Sequence, residues 1–243
     1  MKPVDAHCHL DFEDFDSDRQ QLLEKIEGEM EFVVNAGRDV ESNRASLELE
    51  ENDAVVANLG LHPTNTDSFD ELEEVKEQAR EHPTAAIGEI GLDHHHVTDE
   101  DTRERQEEFF REMLELAEEL GKPVVVHSRE AEEHAVDILE DFQEEVMLHC
   151  FNGSPELAER AVESGMYIGV TTQVLYSSRV HDIVEEVPLE HMLLETDSPF
   201  LYQGERNEPV NVKESAERIA DIKDVDAGKV VEKTTRNAKE LFR

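Results

Sequence analysis

Short apolar runs alternate along the chain with longer charged stretches. The runs consist mainly of valine, isoleucine, leucine and alanine, as is typical of parallel strands buried on both faces. They cover residues 4–9, 32–36, 54–61, 85–90, 124–127, 146–151, 166–170 and 192–195. The stretches between them have helical periodicity. In 100–121, for example, Phe109, Met113, Leu116 and Leu120 share one face, and Gly121 can end the helix.

Eight β–α units in succession favour an α/β fold, the (β/α)8 TIM barrel with right-handed crossovers. Ser17-Asp18 and Ser154-Pro155 have the composition of helix starts, and two more helices are predicted at 211–222 and 226–242. The chain of 243 residues suits one such barrel, which typically needs about 250 residues. We find no linker, repeat or low-complexity segment. We therefore expect one domain over residues 1–243.

Most of the twelve histidines lie at or just after predicted strand ends, where a TIM barrel carries its active site. These histidines are His7, His9, His62, His94, His95, His96, His127 and His149. Acidic residues show the same bias, namely Asp11, Glu89, Asp93 and Asp197. The ordinary polarity of loops explains Asp93, but it does not readily explain ionisable groups that close otherwise apolar strands.

His7 and His9 lie two residues apart on the first strand, so their side chains are expected to point to the same face. Two imidazoles on one face provide half of a metal site. The full set of candidate ligands comprises His7, His9, Glu89, His127, His149 and Asp197. Six ligands exceed the needs of one tetrahedral ion, so we expect two divalent ions bridged by Glu89. The alternative for each histidine is a hydrogen-bonded core residue.

Several segments, in order and spacing, resemble the TatD-like metal-dependent deoxyribonucleases, which are amidohydrolase-like barrel enzymes. The matching segments are DAHCHLD at 5–11, GLHP at 60–63, AIGEIGLD at 86–93, KPVVVHSR at 122–129, HCFNG at 149–153, LETDSPFL at 194–201 and RNEP at 206–209, with 237–242 near the terminus. The resemblance implies that His7, His9, Glu89 and Asp197 hold one ion, while Glu89, His127 and His149 hold the other. It also implies magnesium-dependent exonuclease activity on DNA from the 3′ end.

The chain departs from the family at His94-His95-His96, where an aromatic residue is usual after Gly-Leu-Asp. A stacking surface for a base is therefore missing there or is replaced by imidazole. Histidine-rich ligation also suits Zn²⁺, Mn²⁺, Ni²⁺ or Fe²⁺, so the native metal stays open beside Mg²⁺.

Other side chains near the predicted strand ends suit catalysis or substrate binding. Glu89 and Asp197 are the expected catalytic residues, with Asp197 as general base through a bound water. Glu195 would face the same way as Asp197 on a regular strand and orient a ligand or water. Arg129 and Arg206, and less strongly Arg38, are candidate phosphate clamps, because the guanidinium fork matches phosphate. Surface ion pairing is their alternative.

His62, after the third strand, is expected to donate to a phosphate oxygen. A loop histidine that packs on Pro63 is the other interpretation.

The chain carries 61 acidic and 23 basic residues, a net charge of −38. At about 1 M salt the Debye length is only about 3 Å, so repulsion between these charges is screened. We expect a cytoplasmic protein of a high-salt cell; an acidic protein with a basic partner is the alternative. The longest apolar run, 54–57, is far short of a membrane span, and no signal peptide is visible. Cys8 and Cys150 are expected to be free thiols.

The predicted partner is DNA, preferably single-stranded, with no membrane and no obligate protein partner. Two other functions share these features. One is another hydrolase on the same barrel, such as a deacylase of aminoacyl-tRNA, which would use the same metal chemistry. The other is a non-catalytic metal-binding protein, suggested by His94-His95-His96.

Overall fold

The computed structural model describes residues 1–82 and 84–243 as alternating strands and helices around one barrel. The strands are β1 Val4–Cys8, β2 Phe32–Ala36, β3 Val55–Asn58, β4 Ile87–Gly91, β5 Val124–His127, β6 Val146–Leu148, β7 Tyr167–Val170 and β8 Met192–Leu194. The helices are α1 Arg19–Glu29, α2 Val40–Leu49, α3 Leu72–Glu81, α4 Glu100–Leu120, α5 Glu132–Leu139, α6 Pro155–Glu163, α7 Ser178–Glu186, α8 Val212–Lys223 and α9 Ala227–Phe242.

The strands are parallel and pair in chain order, as expected for a (β/α)8 barrel. The ladders form one group from β1 to β3 and another from β4 to β8. Single bridges join the two groups, Leu59 to Ile87 on one side and Cys8 to Ser198 on the other. The barrel is therefore closed, and the carboxyl ends of all its strands open to one face.

Local sequence signals set the helix ends. The Asp39 side chain accepts from the Ser42 backbone N–H to cap α2, and the Ser154 hydroxyl accepts from the Leu157 N–H to cap α6, whose first residue is Pro155. Gly121 ends α4 in the left-handed conformation at φ 60°, which glycine adopts without a Cβ penalty. Asp18 precedes α1 as expected but makes no side-chain cap bond.

The strands bury apolar side chains on two sides. One cluster lies between the strands and the surrounding helices and includes Val33, Val126 and Ile168. A smaller cluster joins Val34, Val125 and Met147 to Leu241 and Phe242 of α9. This double burial explains why the strand sequences are nearly continuous in apolar residues.

Cys8 and Cys150 are both free. No helix in residues 1–82 and 84–243 is long and apolar enough to cross a membrane.

Candidate metal centre

Four of the predicted ligands meet at the carboxyl ends of β1, β4 and β8. The Nε2 atoms of His7 and His9 lie 3.2 Å apart. Glu89 Oε2 lies 3.4 Å from His7 Nε2, and Asp197 Oδ1 lies 3.4 Å from His9 Nε2. His7, His9 and Glu89 are buried. The structure therefore brings together the set that the family resemblance implies for one ion.

The second predicted set meets on the other oxygen of the same carboxylate. His127 Nδ1 lies 3.0 Å and His149 Nε2 lies 3.8 Å from Glu89 Oε1. Glu89 thus turns Oε2 toward the β1 histidines and Oε1 toward those of β5 and β6. This is the arrangement that a bridging carboxylate requires.

Hydrogen bonds orient the rings of His9 and His149 toward the centre. His9 Nδ1 is 3.1 Å from the Ala36 carbonyl, and His149 Nδ1 is 2.7 Å from Glu195 Oε2. The Ala36 carbonyl can only accept, so His9 Nδ1 carries a proton and leaves the Nε2 lone pair free; His149 presents Nε2 in the same way when Glu195 is ionised. The Nε2 lone pairs and carboxylate oxygens then converge, which is a donor set that fits divalent cations.

Asp93 orients His127, although its position at a strand end is also what ordinary loop polarity would give. Its Oδ2 lies 2.8 Å from His127 Nε2, so His127 presents Nδ1 to Glu89. Asp93 is fully buried and also accepts from the backbone N–H of His96 at 2.6 Å. Its place at the end of an apolar strand was the available signal.

His62 also faces Glu89, but the nitrogen that it turns toward the carboxylate carries a proton. The backbone N–H of Thr64 donates to His62 Nδ1 at 3.1 Å, so Nδ1 accepts and Nε2 carries the proton. His62 Nε2 lies 3.2 Å from Glu89 Oε1. The ring is therefore set up as a hydrogen-bond donor, in line with a substrate contact and not with metal ligation.

Glu195 lies beside a predicted metal ligand, but it does not reach this position through the alternation of side chains along a strand. Strand β8 ends at Leu194, and Asp197 has a positive φ of 55°, so strand alternation does not relate the two acids. Glu195 reaches His149 and accepts from the Cys150 N–H at 2.6 Å. A Cβ on Gly169 would lie 2.5 Å from Glu195 Oε1, so this glycine makes room for the acid.

The clustered charges and burial shift the pKa values of the site residues. Burial would raise the pKa of Glu89, but the neighbouring histidines hold it well below its usual range. Burial would lower the pKa of His127, yet hydrogen bonds to Asp93 and Glu89 raise it to about 9. Burial raises the pKa of Glu195 to about 8. Glu89 is thus ionised at neutral pH, and a bound cation would replace histidine protons as its counter-charge.

A cavity of about 820 Å³ opens above these residues at the barrel mouth. Arg129, His62, Glu89, His127, His149 and Asp197 line it. Arg129 is exposed and forms no ion pair with any described residue. It therefore remains a candidate for binding an anionic substrate.

The structure corrects the expectation for Arg206. It is not among the residues that line the cavity. Its guanidinium instead makes a bidentate pair with Asp18, at 2.7 and 2.6 Å, and lies 3.1 Å from Glu208. Arg38 does line the cavity, but it is paired with Asp11 at 2.9 Å. Local carboxylates satisfy both arginines, so surface ion pairing accounts for Arg206.

The three consecutive histidines do not form one cluster. His96 lines the cavity and its Nδ1 lies 3.0 Å from Asp93 Oδ2. His95 lies 2.6 Å from Glu130 at the cavity rim and its ring is edge-on to that of His96 at 4.8 Å, whereas the His94 ring lies 6.1 Å from that of His134. Their different directions do not support the idea of a histidine cluster for metal storage.

The Asp93→Asn variant is expected to lower metal affinity and hydrolytic activity by about 10- to 100-fold, the range for residues that orient a metal ligand. The amide keeps the shape of the side chain but removes the charge that fixes the His127 ring. Metal titration and hydrolysis rates measure the two effects. His95→Ala on the same loop is the control and should match the wild type. Unchanged metal affinity in Asp93→Asn would rule out the orienting role.

A closed parallel barrel with histidines and carboxylates gathered at its strand ends defines the class of metal-dependent barrel hydrolases. The profile of the family described as TatD related DNase matches residues 4–243, and the chain belongs to this family. The family expected from the sequence motifs is thereby confirmed.

Individual relatives cover nearly the whole chain. An uncharacterized metal-dependent hydrolase of Methanocaldococcus jannaschii is 37% identical over 248 residues, which cover 100% of this chain and 98% of the relative. Human deoxyribonuclease TATDN3 is 34% identical over 259 residues, covering 98% and 94%. The crystal structure of the TatD homologue YJJV from Escherichia coli has a TM-score of 0.86 at 29% identity, covering 98% of this chain and 97% of that one.

Proposed function

We propose that this protein hydrolyses phosphodiester bonds of DNA as a 3′–5′ exodeoxyribonuclease that uses two divalent cations. The observation that carries the proposal is that the two carboxylate oxygens of Glu89 face different histidines, Oε2 toward those of β1 and Oε1 toward His127 and His149. The proposed ligands are His7, His9, Glu89 and Asp197 for one ion, and Glu89, His127 and His149 for the other.

Two bound divalent cations would supply a water nucleophile near neutral pH and stabilisation of the leaving oxygen. The chain itself holds the ligand geometry through Glu195, Asp93 and the Ala36 carbonyl. Asp197 is the proposed general base. Its side chain is 17% exposed, against 2% for Glu89, so it can reach a proton at the cavity surface. Burial would raise the pKa of Asp197, but the neighbouring histidines, His9 first, lower it when they are protonated, so Asp197 is ionised.

The cavity supports a phosphodiester substrate. Arg129 offers an unpaired guanidinium, and His62 offers a proton on Nε2 beside Glu89. One relative, the human protein, is named a deoxyribonuclease. We propose single-stranded DNA as the preferred form, because a pocket between barrel loops admits one backbone more readily than a duplex.

The proposed setting is a cytoplasm of high salt, which would screen the net charge of −38. The bound cations would be the largest local positive charges for a polyanionic substrate in so acidic a protein.

The function is tested by adding single-stranded and duplex oligodeoxynucleotides, labelled at either end, to the protein with Mg²⁺, Mn²⁺ or Zn²⁺. Metal-dependent release of mononucleotides from the 3′ end is the expected result. Deacylation of charged tRNA without cleavage of DNA would instead favour the deacylase. No turnover of either substrate with any of the metals would favour a metal-binding protein.

The Arg129→Ala variant is expected to lower kcat/KM for DNA by about tenfold while affecting a small activated phosphodiester much less, since a charge-assisted hydrogen bond is worth about 1.5–3 kcal/mol. Metal content should be unchanged. Arg206→Ala is the matched control, because Arg206 lies outside the cavity, and its ratio of DNA to ester rates should equal that of the wild type. Equal losses on both substrates in Arg129→Ala would assign Arg129 a structural role.

A further inference from the structure

Two exposed aromatic side chains lie on the loops after β7 and β8, and one of them lines the cavity. Phe200 is 45% exposed and lines the cavity, and Tyr176 is 46% exposed. Within residues 1–82 and 84–243, the only other large hydrophobic side chain so exposed is Met1. An exposed aromatic ring that lines a polar cavity offers a ligand a flat apolar face.

The two rings are held in place by the loops after β7 and β8. The Phe200 ring packs edge-on against Phe12 at 5.2 Å, and Phe12 packs in the same way against His9 of the metal centre at 5.5 Å. Phe200 is therefore two side-chain contacts away from a proposed metal ligand. A substrate attached at the centre could reach its exposed face.

Side chains that donate to backbone carbonyls fix the loop that carries Phe200. The side-chain amide of Asn207 donates to the Phe200 carbonyl at 2.7 Å. The hydroxyls of Thr172 and Tyr176 donate to the Leu201 carbonyl at 2.7 and 3.2 Å. Tyr176 is thereby tied to the same loop as Phe200. The aromatic surface is pre-organised, so binding to it costs little ordering of the loop.

The other side chains at the cavity mouth indicate which kind of ligand would contact the two rings. Arg129 follows β5, whereas Phe200 follows β8 and packs on Phe12 after β1. In the ring of strands these positions lie on opposite sides of the mouth, with the metal centre between them. A cation for phosphate on one side and a flat apolar face on the other match the two ends of a nucleotide.

We propose that Phe200, supported by Tyr176, is a stacking surface for the nucleobase next to the phosphodiester that is cleaved. The proposal rests on the proposed function. It places the stacking surface on the β8 loop, while the β4 loop carries His94-His95-His96. Because every base has a π face, the surface binds single strands of any sequence, and a paired base would have to be unstacked first.

The first test compares Phe200→Leu, which keeps apolar volume, with Phe200→Tyr, which keeps the ring. Phe200→Leu should lower kcat/KM for single-stranded DNA by about tenfold, mainly through KM, because stacking of one base on an aromatic ring is worth about 1–3 kcal/mol. The rate on a small activated phosphodiester should not change, and Phe200→Tyr should behave as the wild type. No loss in Phe200→Leu, or equal loss on both substrates, overturns the proposal.

The second test does not require activity. The chain has no tryptophan, so Phe200→Trp places one reporter at the proposed surface. Its fluorescence should change when a single-stranded oligonucleotide is added with metal. The change should be absent for a sugar–phosphate strand of abasic residues, and absent in Tyr167→Trp, whose reporter lies on β7 outside the cavity lining. An equal response to the abasic strand, or none to either strand, overturns the stacking surface.

The two tests separate this proposal from the function on which it rests. A base-dependent fluorescence change without cleavage of DNA would retain the stacking surface and reject the nuclease. Cleavage of DNA with unaltered kinetics in Phe200→Leu would retain the nuclease and reject the surface.

Discussion

The Glu89→Gln variant is expected to lose activity by more than about a hundredfold, which is beyond the range for residues that only orient a ligand. A neutral amide bridges two cations poorly, and only one of its two terminal atoms is an oxygen that can accept. Glu89 is 1% exposed and faces histidines on both sides. The measurements are the hydrolysis rate and the metal content by mass spectrometry.

The barrel of Glu89→Gln should remain folded, since the glutamine has the same shape and β4 keeps its pairing with β5. A thermal melt with circular dichroism checks this point. Glu130→Gln is the matched control: it makes the same chemical change at the rim of the same cavity, where Glu130 is bonded to His95. Wild-type rate and full metal occupancy in Glu89→Gln would reject the proposed two-metal site.

The fold could be predicted because two-sided burial marks strands strongly in this sequence. The expected helix at 100–121 corresponds to α4 Glu100–Leu120, and the last two helices lie within one residue of their predicted bounds. Strand ends were less accurate. The apolar run at 146–151 continues past β6, which ends at Leu148, because the chain turns at Cys150 with a φ of 47°. An apolar residue in such a turn has the same hydropathy as one in a strand.

The sequence predicts those site residues that lie at strand ends, but not those whose role depends on contacts between loops. His7, Glu89, His127 and His149 converge because a parallel barrel brings its strand ends together, whatever the loops do. The roles of arginines depend instead on which acid each one meets, and Asp18 is distant from Arg206 in the sequence. Phe200 belongs to an apolar sequence segment whose exposure only the folded loop reveals. Contacts of this kind have no periodicity from which they could be inferred.

Dilution from about 1 M to 0.1 M KCl is expected to lower the Tm by more than about 10 °C, since each kcal/mol corresponds to about 2–4 °C in a chain of this size. The 61 acidic residues exceed the 23 basic ones, so most carboxylates have no cationic partner. On α4, Glu104 and Glu108 are exposed one turn apart, and such like-charge pairs each destabilise a helix by about 0.2–0.5 kcal/mol. Many repulsions of this size add up. Thermal melts across the salt range measure the effect.

Charge repulsion can be separated from the general strengthening of hydrophobic burial by salt, because only repulsion depends on the number of acids. Neutralising Glu104 and Glu108 together, as Glu104→Gln with Glu108→Gln, should raise the Tm at 0.1 M and leave it almost unchanged at 1 M. The control is Glu74→Gln, since Glu74 is paired with Arg44 at 2.6 Å and its loss removes an attraction instead. A Tm that stays level or rises on dilution would refute the high-salt interpretation. A Tm that falls equally in the wild type and the neutralised variant would assign the salt effect to hydrophobic burial.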